Sequence, residues 1–325
     1  MNNRIYDVQR LRAWHAHIAA IADVNAPEAR AIVLPREVPD GSVAVVAGSF
    51  NPATTAHLCL CDGALRQPDI GVVWLSLAVH TVDKEQVTGA TLEDRLCMLE
   101  MLVESQPNVG VVLCNRGLYV EQAEALQRIL VTAGQELVFV VGFDKIEQIL
   151  DPRYYADREA SLDRLFGIAR FLVAKRGTYG AQALDDLLAQ KANRPYRGRI
   201  AALTTLPAYH DPALSSTSVR TTYVQGTQGV AGGEQIPAPV QSFVAATGVY
   251  ESPLALPGGE TIDRYALRSR ILHALLAEPE SDPSDAEFQA AVALASSDSN
   301  SGRALRRLLM HNDVSWRIIF QHISA

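Results

Sequence analysis

The feature that most constrains the fold is residues 43–61, VAVVAGSFNPATTAHLCLC, where an apolar run is followed at once by a turn and the start of a helix. Residues 43–47 are apolar without alternation, which is typical of a strand covered on both faces in a parallel sheet. Gly48 breaks this run, and Asn51-Pro52 favours a turn because proline biases the preceding residue away from the helical region. The pattern therefore predicts a strand, a turn and a helix that begins at residue 55 or 56.

The predicted turn carries groups that can hold an anion. Ligands of open α/β sheets bind at the carboxyl edge of the strands, and Gly48, Ser49 and Phe50 lie at that edge. Their backbone N–H groups and the positive end of the following helix suit phosphate. His57 falls in the first turn of that helix. The stretch therefore predicts a site for the phosphates of a nucleotide.

Strand-like apolar runs alternate with helical patterns through the middle of the chain. Further strands are predicted at residues 72–77, 109–114, 137–141 and 171–174, and helices at residues 91–104 and 120–132. Such alternation implies parallel strands joined by right-handed crossovers. The sequence therefore predicts an α/β fold with a doubly wound, mostly parallel, Rossmann-like sheet.

Helical patterns flank this region on both sides. Apolar residues recur at three- and four-residue steps between residues 8 and 21, so residues 1–40 are predicted to be an N-terminal helical extension. Residues 41–250 form the predicted α/β domain, and residues 251–325 the predicted C-terminal helical appendage. Trp316, Ile319 and Phe320 are expected to dock this appendage on the main domain or on another subunit.

Composition excludes some classes of function. The net charge of −7 argues against broad electrostatic binding of nucleic acid or of anionic membranes. No segment approaches the about 18 apolar residues of a membrane span, and the first residues lack a signal-peptide pattern, so we expect a soluble, cytoplasmic protein. The four cysteines fall in predicted core positions and are expected to be reduced thiols, with no zinc or other protein-bound metal site.

Residues 48–57, GSFNPATTAH, resemble the motif of the nucleotidylyltransferase superfamily, in which G-x-F-D/N-P is followed by H/T-x-x-H. Within that superfamily the stretch looks most like the nicotinate and nicotinamide mononucleotide adenylyltransferases. Thr54 stands where many members have the first histidine, and Ala56 where many bacterial members have glycine. If Thr54 cannot replace an imidazole, we expect a low rate.

Three further stretches resemble the same family. Gly142-Phe143-Asp144, directly after a predicted strand, is similar to the family's G-x-D, and Asp144 is expected to cap the next helix, to accept hydrogen bonds from ribose, or both. Residues 214–220, LSSTSVR, resemble I-S-S-T-x-x-R, with Thr217 as the expected helix cap. Residues 236–250 resemble the family's terminal helix pattern. The resemblance covers about residues 43–250.

The resemblance implies adenylyl transfer from ATP to nicotinate or nicotinamide mononucleotide in NAD biosynthesis, with Mg²⁺ bound through the ATP phosphates. It implies catalytic roles for His57, Thr54 and Arg220. The ATP-binding residues that follow from it are Gly48, Ser49, Phe50, Asn51, His57, Gly142, Asp144, Ser215, Ser216, Thr217 and Arg220. The candidate residues for the second substrate are Lys84, Arg95, Arg176 and Trp74.

Two alternatives stay open at this point. The chain could be another nucleotidylyltransferase, such as a phosphopantetheine adenylyltransferase or a cytidylyltransferase, or a nucleotide-binding regulatory protein without turnover. The sequence does not decide between nicotinate and nicotinamide. The expected partners are ATP and a pyridine mononucleotide, without nucleic acid or membrane, and a homo-oligomer is one open arrangement.

Overall fold

The structure is a computed structural model that describes residues 2–23, 25–34, 41–80, 89–130, 135–175, 181–207, 214–225, 235–256, 259–311 and 314–324. The chain forms two compact units. The sheet unit comprises Ile18–Val87 and Leu99–Ser216, and the helical unit comprises Met1–His17, Thr88–Met98 and Thr217–Ala325. The predicted division at residues 40 and 250 stays a prediction.

A seven-stranded sheet forms the centre of the sheet unit. Its strands are β1 (Ala31–Leu34), β2 (Ser42–Ala47), β3 (Ile70–Ala78), β4 (Val109–Cys114), β5 (Leu137–Gly142), β6 (Ala169–Ala174) and β7 (Ile200–Ala202). Their order is β1-β4-β3-β2-β5-β6-β7. Every neighbouring pair is parallel except β1 with β4, so the predicted doubly wound, mostly parallel α/β fold is confirmed.

The helices of the sheet unit are α2 (Thr55–Leu65), α4 (Tyr119–Gln127), α5 (Phe143–Leu150), α6 (Arg158–Ile168) and α7 (Ala181–Ala189). Three helices have residues in both units, α1 (Val8–Ile21), α3 (Leu92–Val103) and α8 (Ser216–Val224). The helical unit adds α9 (Ala238–Thr247), α10 (Arg264–Leu276), α11 (Asp285–Ala295), α12 (Asn300–Leu309) and α13 (Trp316–Ile323), and a hairpin of β8 (Leu254–Ala255) and β9 (Thr261–Ile262). Short 3₁₀ helices lie at Asn2–Tyr6, Pro152–Tyr154 and Arg194–Arg199.

The order of the strands reverses between β2 and β5, and this reversal locates the site. Strand β2 lies between β3 and β5. The chain first adds β3 and β4 on one side of β2, and then adds β5, β6 and β7 on the other side. Val45 pairs with Phe139, and Gly48 and Gly142 each lie three residues further along. The two loops that carry the first two motifs therefore leave the same edge of the sheet at its topological switch point, where ligands of such sheets bind.

The sheet has two edge strands that the sequence pattern did not predict. Strand β1 has only four residues and lies within the predicted N-terminal extension, where it pairs antiparallel with β4. Strand β7 has three residues and extends the sheet beyond β6. Runs this short lack the length that separates a strand from other apolar segments. The helix predicted at residues 120–132 also ends early, at Gln127.

The helical unit has a core of its own. Ile271, Leu275 and Phe288 are buried in it together with Trp316 and Ile319. The expectation that Trp316, Ile319 and Phe320 dock the tail on the main domain or another subunit is therefore wrong for the first two, because they pack against helices of the same unit. Phe320 is 38% exposed. Residues 305–323, predicted as one helical segment, form parts of α12 and α13.

Two structural findings bear on the expectations of reduced cysteines and of no membrane-spanning segment. Cys59, Cys61, Cys97 and Cys114 are all free and buried, as predicted. Burial raises the pKa of Cys61, and that of Cys114 to about 11, so both thiols stay protonated at neutral pH. Among the described residues, no helix has both the length and the apolar character that crossing a bilayer requires.

A buried ion pair holds the first turn of α3 in the helical unit. Arg268 and Asp94 have no exposed side-chain surface, and Arg268 Nη1 donates to both Asp94 oxygens at 2.8 and 2.7 Å. The Tyr265 hydroxyl donates to Asp94 Oδ2 at 2.7 Å and accepts from the Thr91 N–H at 2.8 Å. Arg268 Nη2 donates to the Ile5 carbonyl. The central carbon of the guanidinium also lies 5.6 Å from the centre of the Phe243 ring and 5.7 Å from the centre of the Phe288 ring, within the range of cation–π contacts.

We expect Asp94→Ala to lower the free energy of unfolding by about 3–5 kcal/mol, because it leaves the Arg268 charge buried without a counter-ion. The double variant Asp94→Leu/Arg268→Met removes both charges and should lose less. Denaturant titration followed by circular dichroism measures both. Asp298→Ala, which breaks an exposed ion pair with Arg303, is the control and should cost less than about 1 kcal/mol. A double variant as unstable as Asp94→Ala would contradict the proposed cause.

Candidate functional site

The turn after β2 is built around Phe50. Phe50 has a φ of 46°, rare for a residue with a side chain, and its ring is fully buried. A Cβ on Gly48 would lie 3.2 Å from the Phe50 ring, so glycine makes room for this packing. The Gly48 N–H donates to the Ser76 carbonyl at 3.1 Å, so the prediction that this N–H is available to phosphate is wrong. Ser49 is exposed and Asn51 is buried.

Thr54 and His57 bond to each other across the start of α2. Thr54 is the N-cap, and the His57 N–H donates to its carbonyl at 3.0 Å. In return the Thr54 N–H donates to His57 Nδ1 at 2.9 Å, and Thr54 Oγ1 lies 2.8 Å from the same nitrogen. His57 thus takes the place that Glu or Gln holds in a capping box. The predicted helix start is confirmed, and it orients the imidazole.

The surroundings of His57 keep its ring neutral. The ring is half-buried and lies 5.0 Å from the Phe50 ring. Burial lowers the pKa of His57 to about 4. Because Nδ1 accepts the Thr54 N–H, the neutral ring carries its proton on Nε2. At neutral pH, His57 is therefore a hydrogen-bond donor through Nε2, without a full positive charge.

The LSSTSVR motif meets the first motif through Ser216. Helix α8 begins at Ser216, whose hydroxyl donates to the Pro52 carbonyl at 2.8 Å. This bond engages the hydroxyl that was predicted to contact ATP, so Ser216 serves here to hold the motif against the turn. Thr217 lies inside the first turn of α8, and the prediction that it caps the helix is wrong. Ser215 is half-buried, immediately before the helix.

The G-x-D motif follows β5 directly. Gly142 is the N-cap of α5, and a Cβ built there would meet no atom of the described residues within 4 Å other than those of its chain neighbours. Its surroundings are therefore open, as close approach of a ligand requires. Asp144 is exposed and lies in the first turn of α5, where its negative charge interacts favourably with the positive end of the helix dipole. The prediction that Asp144 caps the helix is wrong, because Gly142 holds that position.

The four residues predicted to bind the second substrate differ in where they lie in the structure. Trp74 is 1% exposed in the middle of β3, paired with Gly110, whose missing side chain leaves room for the indole ring. A side chain so enclosed in the core has no surface for a substrate, and we leave it out of the site. Lys84 and Arg176 lie outside the described residues. Arg95 is buried in the helical unit.

The helical unit contains a cavity of about 690 Å³ that includes the second half of the LSSTSVR motif. Thr217 and Arg220 lie on its wall, and Arg220 Nη2 is 3.4 Å from Thr217 Oγ1. The wall carries further polar groups, and most of them lie outside the motifs found in the sequence. They are Thr91, Thr221, Gln225, Tyr250, Glu251, Asp263, Tyr265 and Ser269.

Arg95 adds positive charge close to this cavity. Its side chain is 4% exposed, and its Nε donates to the Ala90 carbonyl at 2.8 Å. Within the described part of the chain, no carboxylate forms an ion pair with it. Burial lowers the pKa of Arg95, whereas the nearby Tyr250 and Tyr265 side chains raise it and the charge of Arg220 lowers it.

Comparison with known proteins gives one family match and several relatives. The family model described as cytidylyltransferase-like matches residues 45–222. A putative nicotinamide mononucleotide adenylyltransferase of Schizosaccharomyces pombe is 31% identical over 154 residues, which are 46% of this chain and 59% of that protein. A probable nicotinate-nucleotide adenylyltransferase of Treponema pallidum is 26% identical over 216 residues, which are 65% of this chain and 99% of that protein.

Two solved structures are similar to the chain. Both are of the Plasmodium falciparum nicotinic acid mononucleotide adenylyltransferase, one complexed with NaAD and one with APC. They cover 65% of this chain and 97% of their own, with 13% identity and TM-scores of 0.48 and 0.47. Similarity at this level carries no information on the ligands of this chain.

We expect the stability of the protein to fall between pH 6.5 and pH 4 through His57. The pKa of His57 is about 4 in the folded state and about 6.5 when unfolded, so the unfolded state binds more protons in this range. Stability contributed by the neutral ring is complete above pH 6.5 and is lost as pH falls, by at most about 3 kcal/mol. Denaturant titrations of wild type and His57→Gln across this range measure the difference; parallel curves would contradict it.

Proposed function

The chain belongs to the cytidylyltransferase-like family, whose model matches more than half of its length, and on that premise we propose that it transfers an adenylyl group from ATP to nicotinate or nicotinamide mononucleotide. The products are the dinucleotide and pyrophosphate. The family resemblance predicted from the motifs is confirmed by relatives that are named as adenylyltransferases of these two mononucleotides.

The observation that carries this proposal is the neutral imidazole at the carboxyl edge of β2. His57 is oriented by Thr54, supported by the Phe50 ring and left with a proton on Nε2. A donor fixed in this way can bond to a phosphate oxygen without rearranging as charge develops on it. Its place at the switch point of the sheet is where a nucleotide binds in folds of this kind.

The proposed reaction needs no nucleophile from the protein. A phosphate oxygen of the mononucleotide forms a bond to the α-phosphorus of ATP, and the bond from that phosphorus to the bridging oxygen breaks. The electron pair leaves with pyrophosphate. The work of the protein is to position the two phosphates in line and to stabilise the charge that develops. In this proposal His57 bonds to the α-phosphate, and Arg220 and Thr217 meet the pyrophosphate part.

In this proposal, Mg²⁺ binds to the protein together with ATP, through the ATP phosphates. Among the described residues, no group of three or more His, Cys, Asp or Glu side chains could hold a metal ion. An ion bound mainly by phosphate oxygens and water, which is how Mg²⁺ usually binds at nucleotide sites, needs no such group. When bound, Mg²⁺ supplies charge neutralisation on the phosphates. The protein's own contribution is then the imidazole donor and the guanidinium groups.

The second substrate of the proposed reaction is the mononucleotide that accepts the adenylyl group. Arg95, Lys84 and Arg176 are the residues we propose for the mononucleotide, and the guanidinium groups among them suit a phosphate. One relative is named for nicotinamide and the other for nicotinate. Both mononucleotides are therefore candidates.

We expect purified protein to release pyrophosphate from ATP with Mg²⁺ only when a pyridine mononucleotide is present. Nicotinate mononucleotide, nicotinamide mononucleotide, phosphopantetheine and no acceptor are compared, with CTP as the alternative donor. Chromatographic identification of the dinucleotide confirms the product. Release with phosphopantetheine or with CTP would replace this proposal by another transferase. ATP binding with no release in any lane would indicate a regulatory nucleotide-binding protein.

We expect His57→Ala to lower kcat about 10²–10³-fold, because removal of one oriented donor to a developing charge has an effect of that size. The KM for ATP should change much less, since the bond strengthens in the transition state. Steady-state kinetics with both substrates separate the two parameters. His273→Ala deletes an exposed imidazole on α10 and is the control. Unchanged turnover in His57→Ala would remove this residue from the site.

A further inference from the structure

The turn that carries the first motif rests on strand β3 through Ser76. Ala47, the last residue of β2, pairs with Ser76, and the Gly48 N–H donates to the Ser76 carbonyl at 3.1 Å. A Cβ on Gly48 would lie 3.2 Å from the Phe50 ring, and the centre of that ring lies 5.0 Å from the centre of the His57 ring. The position of the imidazole therefore depends, through Gly48 and Phe50, on where the end of β3 lies.

The side chain of Ser76 is a polar group in an apolar core. Strand β3 reads IGVVWLSLA, and alternation places Ser76 on the same face as Val72 and Trp74, which belong to the core cluster of the sheet unit. Ser76 is buried. A buried hydroxyl is costly unless hydrogen bonds within the protein replace those to water, so its partners decide what it contributes.

Gln122 and Cys114 are the partners of this hydroxyl. Ser76 Oγ donates to Gln122 Oε1 at 2.8 Å and lies 3.4 Å from Cys114 Sγ. Because the one hydroxyl proton of Ser76 is given to the amide, the protonated Cys114 thiol is the donor in the second contact. Gln122 Nε2 in turn donates to the Gly117 carbonyl at 3.0 Å. Gln122 and Cys114 are both buried.

These four residues, Cys114, Ser76, Gln122 and Gly117, form what we call the Ser76 network. It joins the last part of β3 to the end of β4, to α4 and to the loop between β4 and α4. This end of β3 and β4 is the carboxyl edge of the sheet, from which the loop with the first motif also leaves. A buried polar network whose members have partners favours one arrangement of the elements that it joins.

We propose that Ser76 and Gln122 are positioning residues of the candidate site, which hold the turn after β2 so that His57 reaches the phosphate that it binds. Their role in adenylyl transfer rests on the proposed function. Neither side chain touches the substrate in this proposal, because the effect passes through the Ser76 carbonyl, Gly48 and Phe50. Two apolar side chains of similar size would stabilise the fold about equally, so the geometry that the polar pair specifies explains its presence.

The double variant Ser76→Ala/Gln122→Met separates positioning from stability. Ser76→Ala alone leaves Gln122 Oε1 buried without this donor and should lower the urea midpoint, whereas the double variant removes both partners and should unfold near the wild-type midpoint. Gly117 is half-buried, so water can replace the donor that its carbonyl loses. We expect both variants to lower kcat about tenfold and to change the KM for ATP less than about twofold, because a displaced donor mainly affects the transition state.

The position of His57 can also be measured without turnover. In proton–carbon correlation spectra of the histidine side chains, the His57 signal is sensitive to the Phe50 ring beside it, and His57→Gln assigns the signal by its loss. We expect this signal to move in Ser76→Ala and in the double variant, while the signal of His273, in the helical unit, stays in place. An unchanged His57 signal in the double variant would overturn the proposal.

Tyr196→Phe is the matched control. The Tyr196 hydroxyl donates to Asp163 Oδ1 at 3.1 Å, in the same unit and outside the Ser76 network. The substitution removes one hydrogen bond from a buried residue, as Ser76→Ala does. The urea midpoint should fall, with kcat and the His57 signal unchanged. If Tyr196→Phe lowers kcat as much as Ser76→Ala does, the loss follows stability alone and the proposal is wrong.

The two readouts separate this proposal from the proposed function. A wild type that transfers no adenylyl group would reject the function, while the His57 signals of the variants would still decide whether Ser76 and Gln122 hold the imidazole in place. Adenylyl transfer that is as fast in the double variant as in the wild type would reject the positioning role and leave the function standing.

Discussion

The parallel hydrogen-bond ladders on both sides of β2 determine where the candidate site of the sheet unit lies. Because β2 pairs with β3 on one side and β5 on the other, the loops after β2 and β5 leave the sheet at neighbouring points of one edge. Gly48 and Gly142 mark these two points. The cap between Thr54 and His57 then fixes the imidazole relative to that edge, and Ser216 attaches the third motif to the same turn through Pro52.

In the helical unit, the corresponding constraint is the buried pair of Asp94 and Arg268. A charge removed from water has to be matched in place, so these two side chains tie α3 to α10. Tyr265 belongs both to this network and to the wall of the cavity. The stretch after residue 250 therefore shares one unit, and the wall of one cavity, with the LSSTSVR helix.

Much of the fold and of the first motif could be predicted from the sequence, because those features are local. Apolar runs of four to six residues identified β2 to β6, and proline followed by threonine identified the start of α2. Strands β1 and β7 were missed, because they have only four and three residues and β1 lies in a stretch predicted to be a helical extension. Trp74 was assigned to a substrate because an aromatic residue on a strand looks the same in sequence whether its ring is enclosed or open.

By itself, the sequence determined the alternation of the longer strands with helices, the turn that presents His57, and the family to which the motifs belong. These properties depend on neighbouring residues and on short-range backbone preferences. Only the tertiary structure decided that His57 is neutral, that the Gly48 N–H is engaged, and that Tyr265 and Ser269 lie with Arg220 on one cavity. Burial and hydrogen bonding join residues far apart along the chain, such as Asp94 and Arg268, which are 174 positions apart. No local pattern records such a pairing.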